Sequence, residues 1–397
     1  MRIAHHNSIN KLKWSFPWLI RYPGWRLHEQ LRRLTSAGKH RHIILIMANH
    51  FEPAWNESRS QLDWATQLSR VKSWNAEARL TGNMIQDCDG TPFRHTYFFP
   101  AEQYHPSLME TLVELQAEGL GEVEIHLHHG VDKPDTPSNL RQTLEEFRDI
   151  LAEEYGCLSR MHGAGDPMYA FIHGNFALAN SIGGICCGVD SEMQILAETG
   201  CYADFTLPGA PARPQAPRIN AIYQPGRPLH ERSPHRTGQN LRVNRPPKLP
   251  VLFTGPLVFD WNRRQRGLPL PGIDNGDITT NYPASINRFD SWQRANIAIR
   301  GRPEWVFIKL SCHGFLPGDQ ESTIGEPMRR FLGEALEWAD RSGEVKIHFA
   351  TAREAFNIAM AAIAGHAGEP GLYRDYMLRQ TMQAQTQPVA SSAQARR

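Results

Sequence analysis

Residues 94–130 read RHTYFFPAEQYHPSLMETLVELQAEGLGEVEIHLHHG, and the order of patterns in that stretch decides the fold. RHTYFFP (94–100) is a short apolar strand pattern. HPSLMETLVELQAEG places Leu108, Leu112 and Leu115 at helical spacing and stops at Gly119. GEVEIHLHH then alternates, with Val123, Ile125 and Leu127 on one face and Glu122, Glu124, His126 and His128 on the other. Strand, helix and strand in so few residues make a parallel βαβ unit. The ionisable face is unlike that of a solvated strand, which would carry Lys, Thr or Ser.

The unit recurs on both sides. HIILIMANHFEP (42–53) is a nearly continuous apolar run that breaks into polar residues, as a strand buried on both faces does. Downstream, SNLRQTLEEFRDILAEEYG sets Leu140, Leu144, Phe147 and Leu151 on one helical face, and MYAFIHGN (168–175) is a strand. SEMQILAETG reads as a helix with a capping box of Ser191 and Gln194. YADFTLP, PVLFTG and WVFIKLSCHG are strands, and PMRRFLGEALEWADRSG is a helix. EVKIHFA is a last strand, before a helix boxed by Thr351 and Glu354. Seven or eight such units predict an α/β fold, a closed or nearly closed (β/α)7-8 barrel over residues 42–379. Residues 209–250, rich in proline and arginine with little periodicity, predict a substrate-binding lid or a disordered loop. Residues 209–303 as a whole read as mostly loop insertions, and the Gln/Ala/Ser-rich 380–397 as a disordered tail.

The composition is that of a soluble globular chain, 41% hydrophobic and 21% charged, with no apolar run long enough to span a membrane. Residues 1–41 stand apart. Nine Lys and Arg against Glu29 alone give that segment +8 in a chain of total +2, so the remainder is −6. Trp14, Phe16, Trp18, Tyr22 and Trp25 interleave with those cations. Such an arm either anchors peripherally at the inner face of a membrane or packs its aromatics on the barrel, and packing is the favoured reading. FPWLI is too short for a secretory h-region, so a cytoplasmic protein is expected. The six cysteines show no paired spacing and read as reduced core thiols. With no GxGxxG after a strand and no GxxxxGK[ST], nucleotide binding has no support, and no nucleic-acid partner is expected.

In parallel barrels the chemistry gathers at the C-terminal ends of the strands. Here those ends carry Asn49, His50 and Glu52; His126, His128 and His129; His173 and Asn175; and His313, with Lys309 on the same face of its strand. His95 and His348 lie within strands and read as satisfied core residues. Neutral imidazoles converging from several strands are natural ligands for zinc or another divalent transition metal.

HTYFFPAEQYHPSLMETLVELQAEGLGEVEIHLHHG resembles the segment of polysaccharide deacetylases, the NodB-homology or carbohydrate esterase family 4 group, that leads into their His-Ser/Thr-x-x-His metal motif. WVFIKLSCHG is similar to that family's closing Leu-x-x-His strand. The match is close over 94–130 and topological elsewhere. The resemblance implies a distorted deacetylase-type barrel that hydrolyses an N- or O-acyl group from an amino sugar of a polysaccharide or glycan precursor, with zinc the expected ion. Departures are specific. The family's Asp-Asp pair is Asn49-His50 here, and Gly130 stands where the motif's second histidine belongs. The implied metal set is therefore His50 and His126 with His128 or His129, His128 being preferred because it shares a face with His126. His313 fits the family's general acid. The base passes to Glu52 or to Asp89 in QDCDGTPF. His173, Asn175 and Lys309 are left for the substrate, and Trp55, Tyr104 and Trp261 for sugar stacking. The alternatives are a glycosidase pairing Glu52 with Asp190, Asp204 or Asp260, and a carbohydrate-binding protein without turnover.

Overall fold

A computed structural model describes residues 8–35, 40–56, 62–265 and 268–382. The long apolar run forms β1 (Arg41–His50), buried along nearly its whole length and paired on both edges. The other main strands are β2 (His95–Pro100), β3 (Gly121–Leu127), β4 (Pro167–His173), β5 (Cys201–Asp204), β6 (Val251–Phe253), β7 (Trp305–Cys312) and β8 (Val345–Ala350). β7 runs along one edge of β1, from His42 opposite Trp305 to Asn49 opposite Cys312. The other edge is shared, by β8 over Arg41–Ile46 and then by β2 over Ala48–His50. Beyond β2 the order is β3, β4, β5, β6, all parallel. Two antiparallel strands, Ile222–Pro225 and Gly238–Asn240, extend the sheet past β6.

The result is a mixed α/β fold around a large, mostly parallel sheet. Isolated backbone bonds tie the segments around residues 241–300 to the sheet. Arg300 N–H donates to the Leu241 carbonyl at 2.9 Å, and Phe307 N–H to the Ile297 carbonyl at 2.8 Å. The Phe253 and Phe307 rings meet at 6.0 Å.

Ten α-helices occur among the described residues: α1 (Ser8–Leu19), α2 (Tyr22–Thr35), α3 (Trp64–Met84), α4 (Pro106–Ala117), α5 (Pro137–Asp149), α6 (Glu192–Glu198), α7 (Ile286–Ala295), α8 (Asp319–Ile324), α9 (Glu326–Ser342) and α10 (Ala352–Ile363). The expected capping box of α10 is present, Thr351 and Glu354 each bonding the other's backbone N–H. That of α6 is not. Ser191 has φ −84° and ψ 14° rather than an extended cap conformation, and its hydroxyl makes no capping bond.

Residues 209–303 are more ordered than their composition suggests. Besides the two antiparallel strands they hold the hairpin Val258–Gln265/Leu268–Asp274 and α7. Asp274 ties hairpin to helix, accepting from Arg288 Nε and Nη2 and from Trp292 Nε1 at 2.8–2.9 Å. The proline-rich start is not a disordered loop either. Gln215, Ala216, Ile219 and Asn220 are buried, and Asn220 Oδ1 accepts the Leu257 N–H at 2.7 Å.

The arm packs on the body, as favoured. Trp18 is fully buried with Ala210, Ile219 and Leu257, and both Trp18 and Tyr22 meet the Phe259 ring. Glu29, the arm's one acid, accepts from Asn296 Nδ2 at 3.0 Å. Its other face leaves Leu12, Phe16, Ile20, Leu27 and Leu31 more than half exposed. No described helix is long and apolar enough to cross a membrane. All six cysteines are free thiols, and Cys88 alone is exposed. The tail expected to be disordered lies, from residue 383 on, outside the described residues.

Candidate metal centre

The polar face of β3 is interior, a ladder of buried ionisable groups. Glu122 holds Arg353 at 2.6 Å and Thr351 Oγ1 at 2.6 Å, and Glu124 accepts from Tyr202 and from the Ala170 N–H. His126 comes next, at the strand's end, with no exposed surface. Its Nδ1 lies 2.8 Å from the Ile172 carbonyl of β4, an oxygen that only accepts, so Nδ1 donates there. Nε2 points at Glu52 Oε1, 3.2 Å away, and can carry either a proton or a metal ion toward it.

Glu52 reaches this position because the chain turns tightly after β1, with Glu52 N–H donating to the His50 carbonyl at 3.1 Å. The same oxygen lies 3.8 Å from His50 Nδ1 and 3.8 Å from His128 Nε2. His128 is fixed as His126 is. A turn of 3-10 helix after β2 brings Glu102 beneath it, and His128 Nδ1 donates to Glu102 Oε1 at 2.7 Å. Gly174 admits the ring, since a Cβ there would lie 2.3 Å from His128 Cδ2. Three imidazole nitrogens, His126 Nε2, His128 Nε2 and His50 Nδ1, thus face one carboxylate oxygen.

Such a gathering needs a cation, either a proton on a ring nitrogen or a metal ion. Zinc bonds of about 2.0–2.1 Å place neighbouring tetrahedral ligands about 3.3 Å apart. The 3.2 Å separation of His126 and Glu52 fits that edge, and the 3.8 Å separations are close to it. The carboxylate or carbonyl behind each pinned Nδ1 is the usual support of a metal-bound histidine. Buried His50, Glu52 and His126 lie mutually within ligating reach and could hold a metal ion, with partly exposed His128 beside them.

The charges agree. Burial would raise the Glu52 carboxyl, but the His126 hydrogen bond and the charges of His128, His313 and His126 hold it down to about 2. Burial, then His313, His126 and Lys309, keep His50 neutral well below the usual imidazole range. Burial opposes a charge on His128, yet Glu102 and Glu52 raise it to about 9.

His313 follows β7, and its ring stacks on that of His50 at 4.3 Å. Asn49 is buried and accepts the Gly314 N–H at 3.1 Å, so it braces the turn carrying His313. Lys309 is buried nearby with Nζ on the Phe205 carbonyl at 2.7 Å, and burial, eased by Asp204 and Asp277, lowers it to about 8.

Glu52, expected as the base, lies among the three imidazoles, where it is also within ligating reach of a metal held by His50 and His126. Asp89 is not brought to the centre at all. It bonds His348 Nδ1 at 2.7 Å and Arg374 at 2.9 Å, and His348 pairs with Ile44, six residues before His50. At about 3.3 Å per residue that is roughly 20 Å away, at the opposite end of the sheet. His129 turns away too, with Nδ1 on Asp135 at 2.9 Å and Nε2 3.1 Å from His173 Nε2. His173 is therefore committed to a second buried group, with Cys187 and Glu192. Asn175 sits in the strained turn after β4 at φ 59°, partly exposed. Of the proposed sugar-stacking rings, Tyr104 packs on Phe147 and bonds Tyr155, and Trp261 stands 73% exposed beside Phe259. The ring that does border the centre is Phe176, 6.1 Å from His50, which sequence reasoning passed over together with Glu102, Cys187 and Glu192. Glu102 alone carried a signal, an acid directly after a strand end.

No protein-family model matches the chain, and no curated protein matches it.

Proposed function

We propose that the chain is a metal-dependent hydrolase on a distorted, deacetylase-type β/α barrel, removing an N- or O-acyl group from an amino sugar in a polysaccharide or glycan precursor. The observation that carries this reading is the convergence of His126 Nε2, His128 Nε2 and His50 Nδ1 on Glu52 Oε1 where parallel strands end. A divalent transition ion, zinc best by donor type, would supply a Lewis acid for the acyl carbonyl. The centre is open on one side, since His128 keeps 24% side-chain exposure and His313 is partly exposed. His313, stacked on His50, would hand a proton to a leaving nitrogen or oxygen. Asn49 sets its turn, and Phe176 offers a wall for a sugar face. The sequence resemblance over 94–130 points the same way.

The glycosidase alternative has less support because its carboxylates are engaged elsewhere. Asp190 accepts from Asn180, buried Asp204 from Thr206, and Asp260 from Tyr282. Zinc-loaded protein assayed on a panel of acylated glycans should release acetate, and His313→Ala should lose ~10²–10⁴-fold in rate with metal content unchanged. Release of reducing ends would favour the glycosidase. Tight binding of a glycan with no product at any metal loading would favour a carbohydrate-binding protein.

A cytoplasmic location with peripheral contact at an anionic membrane belongs to the same proposal. The outward face of the arm supports it, where Leu12, Phe16, Ile20 and Leu27 lie among exposed Lys11, Lys13 and Arg21.

A further inference from the structure

The residues that leave the first centre assemble another. His129 is the neighbour of His128 but faces the opposite way, into a group with His173, Cys187 and Glu192 whose ligand atoms all lie within 4.8 Å of one another. None is appreciably exposed: His129 retains 6% and the other three nothing. His129 Nδ1 donates to Asp135 and His173 Nδ1 to the Gly174 carbonyl, so both rings turn Nε2 lone pairs inward, 3.1 Å apart. Glu192 Oε1 lies 3.3 Å from His129 Nε2 and 3.5 Å from His173 Nε2. Its other oxygen is anchored by the Ala179 N–H at 2.6 Å, which leaves Oε1 free to point at the same spot. All three separations match the edge of about 3.3 Å expected of a tetrahedral zinc site. Cys187 supplies sulfur, with the Asn180 N–H pointing at Sγ from 3.2 Å; burial and Glu192 push its thiol up to about 11, so a bound metal would have to displace that proton.

The backbone around the group is built to hold this arrangement. Cys186 N–H donates to the Gly130 carbonyl at 2.5 Å and Asp135 N–H to the Cys187 carbonyl at 2.8 Å. Gly130, at φ 64°, lies so close to Cys187 that a Cβ would meet its carbonyl oxygen at 2.1 Å. The connecting loop is otherwise irregular, with Asn175, Phe176, Ala179, Asn180 and Cys186 all at positive φ. Such backbone persists only where its surroundings over-determine it.

We propose that His129, His173, Cys187 and Glu192 form a second, closed metal site for zinc, structural in role, that staples the ends of β3 and β4 to α6. Four protein ligands with no exposed face leave no position for substrate, unlike the first centre. The staple fixes the loop that carries Phe176, the wall of the first centre. It does not depend on the hydrolase reading. The competing arrangement is a proton in place of the metal. Burial opposes a charge on His129, but Asp135, Cys187 and Glu192 drive it up to about 12.

Metal analysis and the spectrum of the cobalt-substituted full chain decide between them. Wild-type protein should hold two equivalents of metal and show a sulfur-to-cobalt charge-transfer band. Cys187→Ala should hold one equivalent and lose the band, whereas His126→Ala should also lose one equivalent but keep it. Cys88→Ala should retain both. A wild-type chain that binds cobalt without a sulfur band, or a band that survives Cys187→Ala, overturns the proposal in favour of the protonated pair. If Cys187→Ala does not fold, zinc absorption spectroscopy of the wild type decides, through the presence or absence of a sulfur neighbour at about 2.3 Å.

Discussion

Replacing Glu52 by Gln separates a ligand from a base at the first centre. Glu52 Oε1 lies 3.2 Å from His126 Nε2 and 3.8 Å from both His50 Nδ1 and His128 Nε2, so this one carboxylate oxygen faces all three rings. An amide is nearly isosteric, and it can bond His126 Nε2 across the same 3.2 Å. The fold should therefore persist, with an unchanged far-ultraviolet spectrum. Metal affinity should not. Loss of a partner behind a ligand typically costs ~10–100-fold, and loss of the anionic ligand itself should cost at least ~100-fold, about 2.7 kcal/mol at 1.36 kcal/mol per tenfold. Competition against a chromophoric chelator reads the weakened site, while a band from Cys187 would report the other site intact. Affinity within tenfold of wild type, with turnover lost, would refute the ligand assignment and return Glu52 to the role of base.

That assignment marks how far the sequence could be read. Continuous apolar runs and helical leucine spacing located all eight main strands within a few residues, because burial on both faces leaves a compositional trace that needs no partner to be recognised. Clustering of His50, His126 and His128 followed from strand ends in a parallel sheet. What β-periodicity could not reach lay past the last paired residue. His129 leaves β3 after its ladder ends at Leu127, so neither alternation nor spacing predicted that it joins Cys187 and Glu192. Asp89 was misplaced because it precedes β2, at the end of the sheet opposite the chemistry. The arginines and prolines of 209–250 looked like loop because ordering there rests on long-range bonds such as Asn220 to Leu257 rather than on periodicity.

Three further outcomes are expected. Asp274→Ala strands the buried Arg288 guanidinium and should cost ~3–5 kcal/mol in urea unfolding; a loss under about 1 kcal/mol would mean that the hairpin does not depend on this pair. Burial holds His42 near pKa 4 and both His95 and His235 near 3, so the unfolded chain binds protons first as pH falls. Stability should drop from about pH 6.5 toward 4, by up to ~1.4 kcal/mol per pH unit for each group. His95 lies between the Trp74 and Phe93 rings, so His95→Phe should fold and flatten that profile; an unchanged slope in urea midpoints would contradict it. At the arm, Phe16→Glu removes an exposed ring from the outward face and should weaken binding to phosphatidylserine vesicles by roughly tenfold or more, since burying such a side chain is worth ~1.5–3 kcal/mol. Equal binding by both proteins would remove the membrane contact from the account.

The central claim, that His50, Glu52, His126 and His128 hold a metal, is tested most directly by anomalous diffraction at the zinc edge from crystals of zinc-loaded protein. The account predicts a peak within bonding distance of His126 Nε2 and Glu52 Oε1, with the His128 and His50 nitrogens closing on it from their 3.8 Å separations. A map with no peak there, and His126 still bonded directly to Glu52, would contradict it.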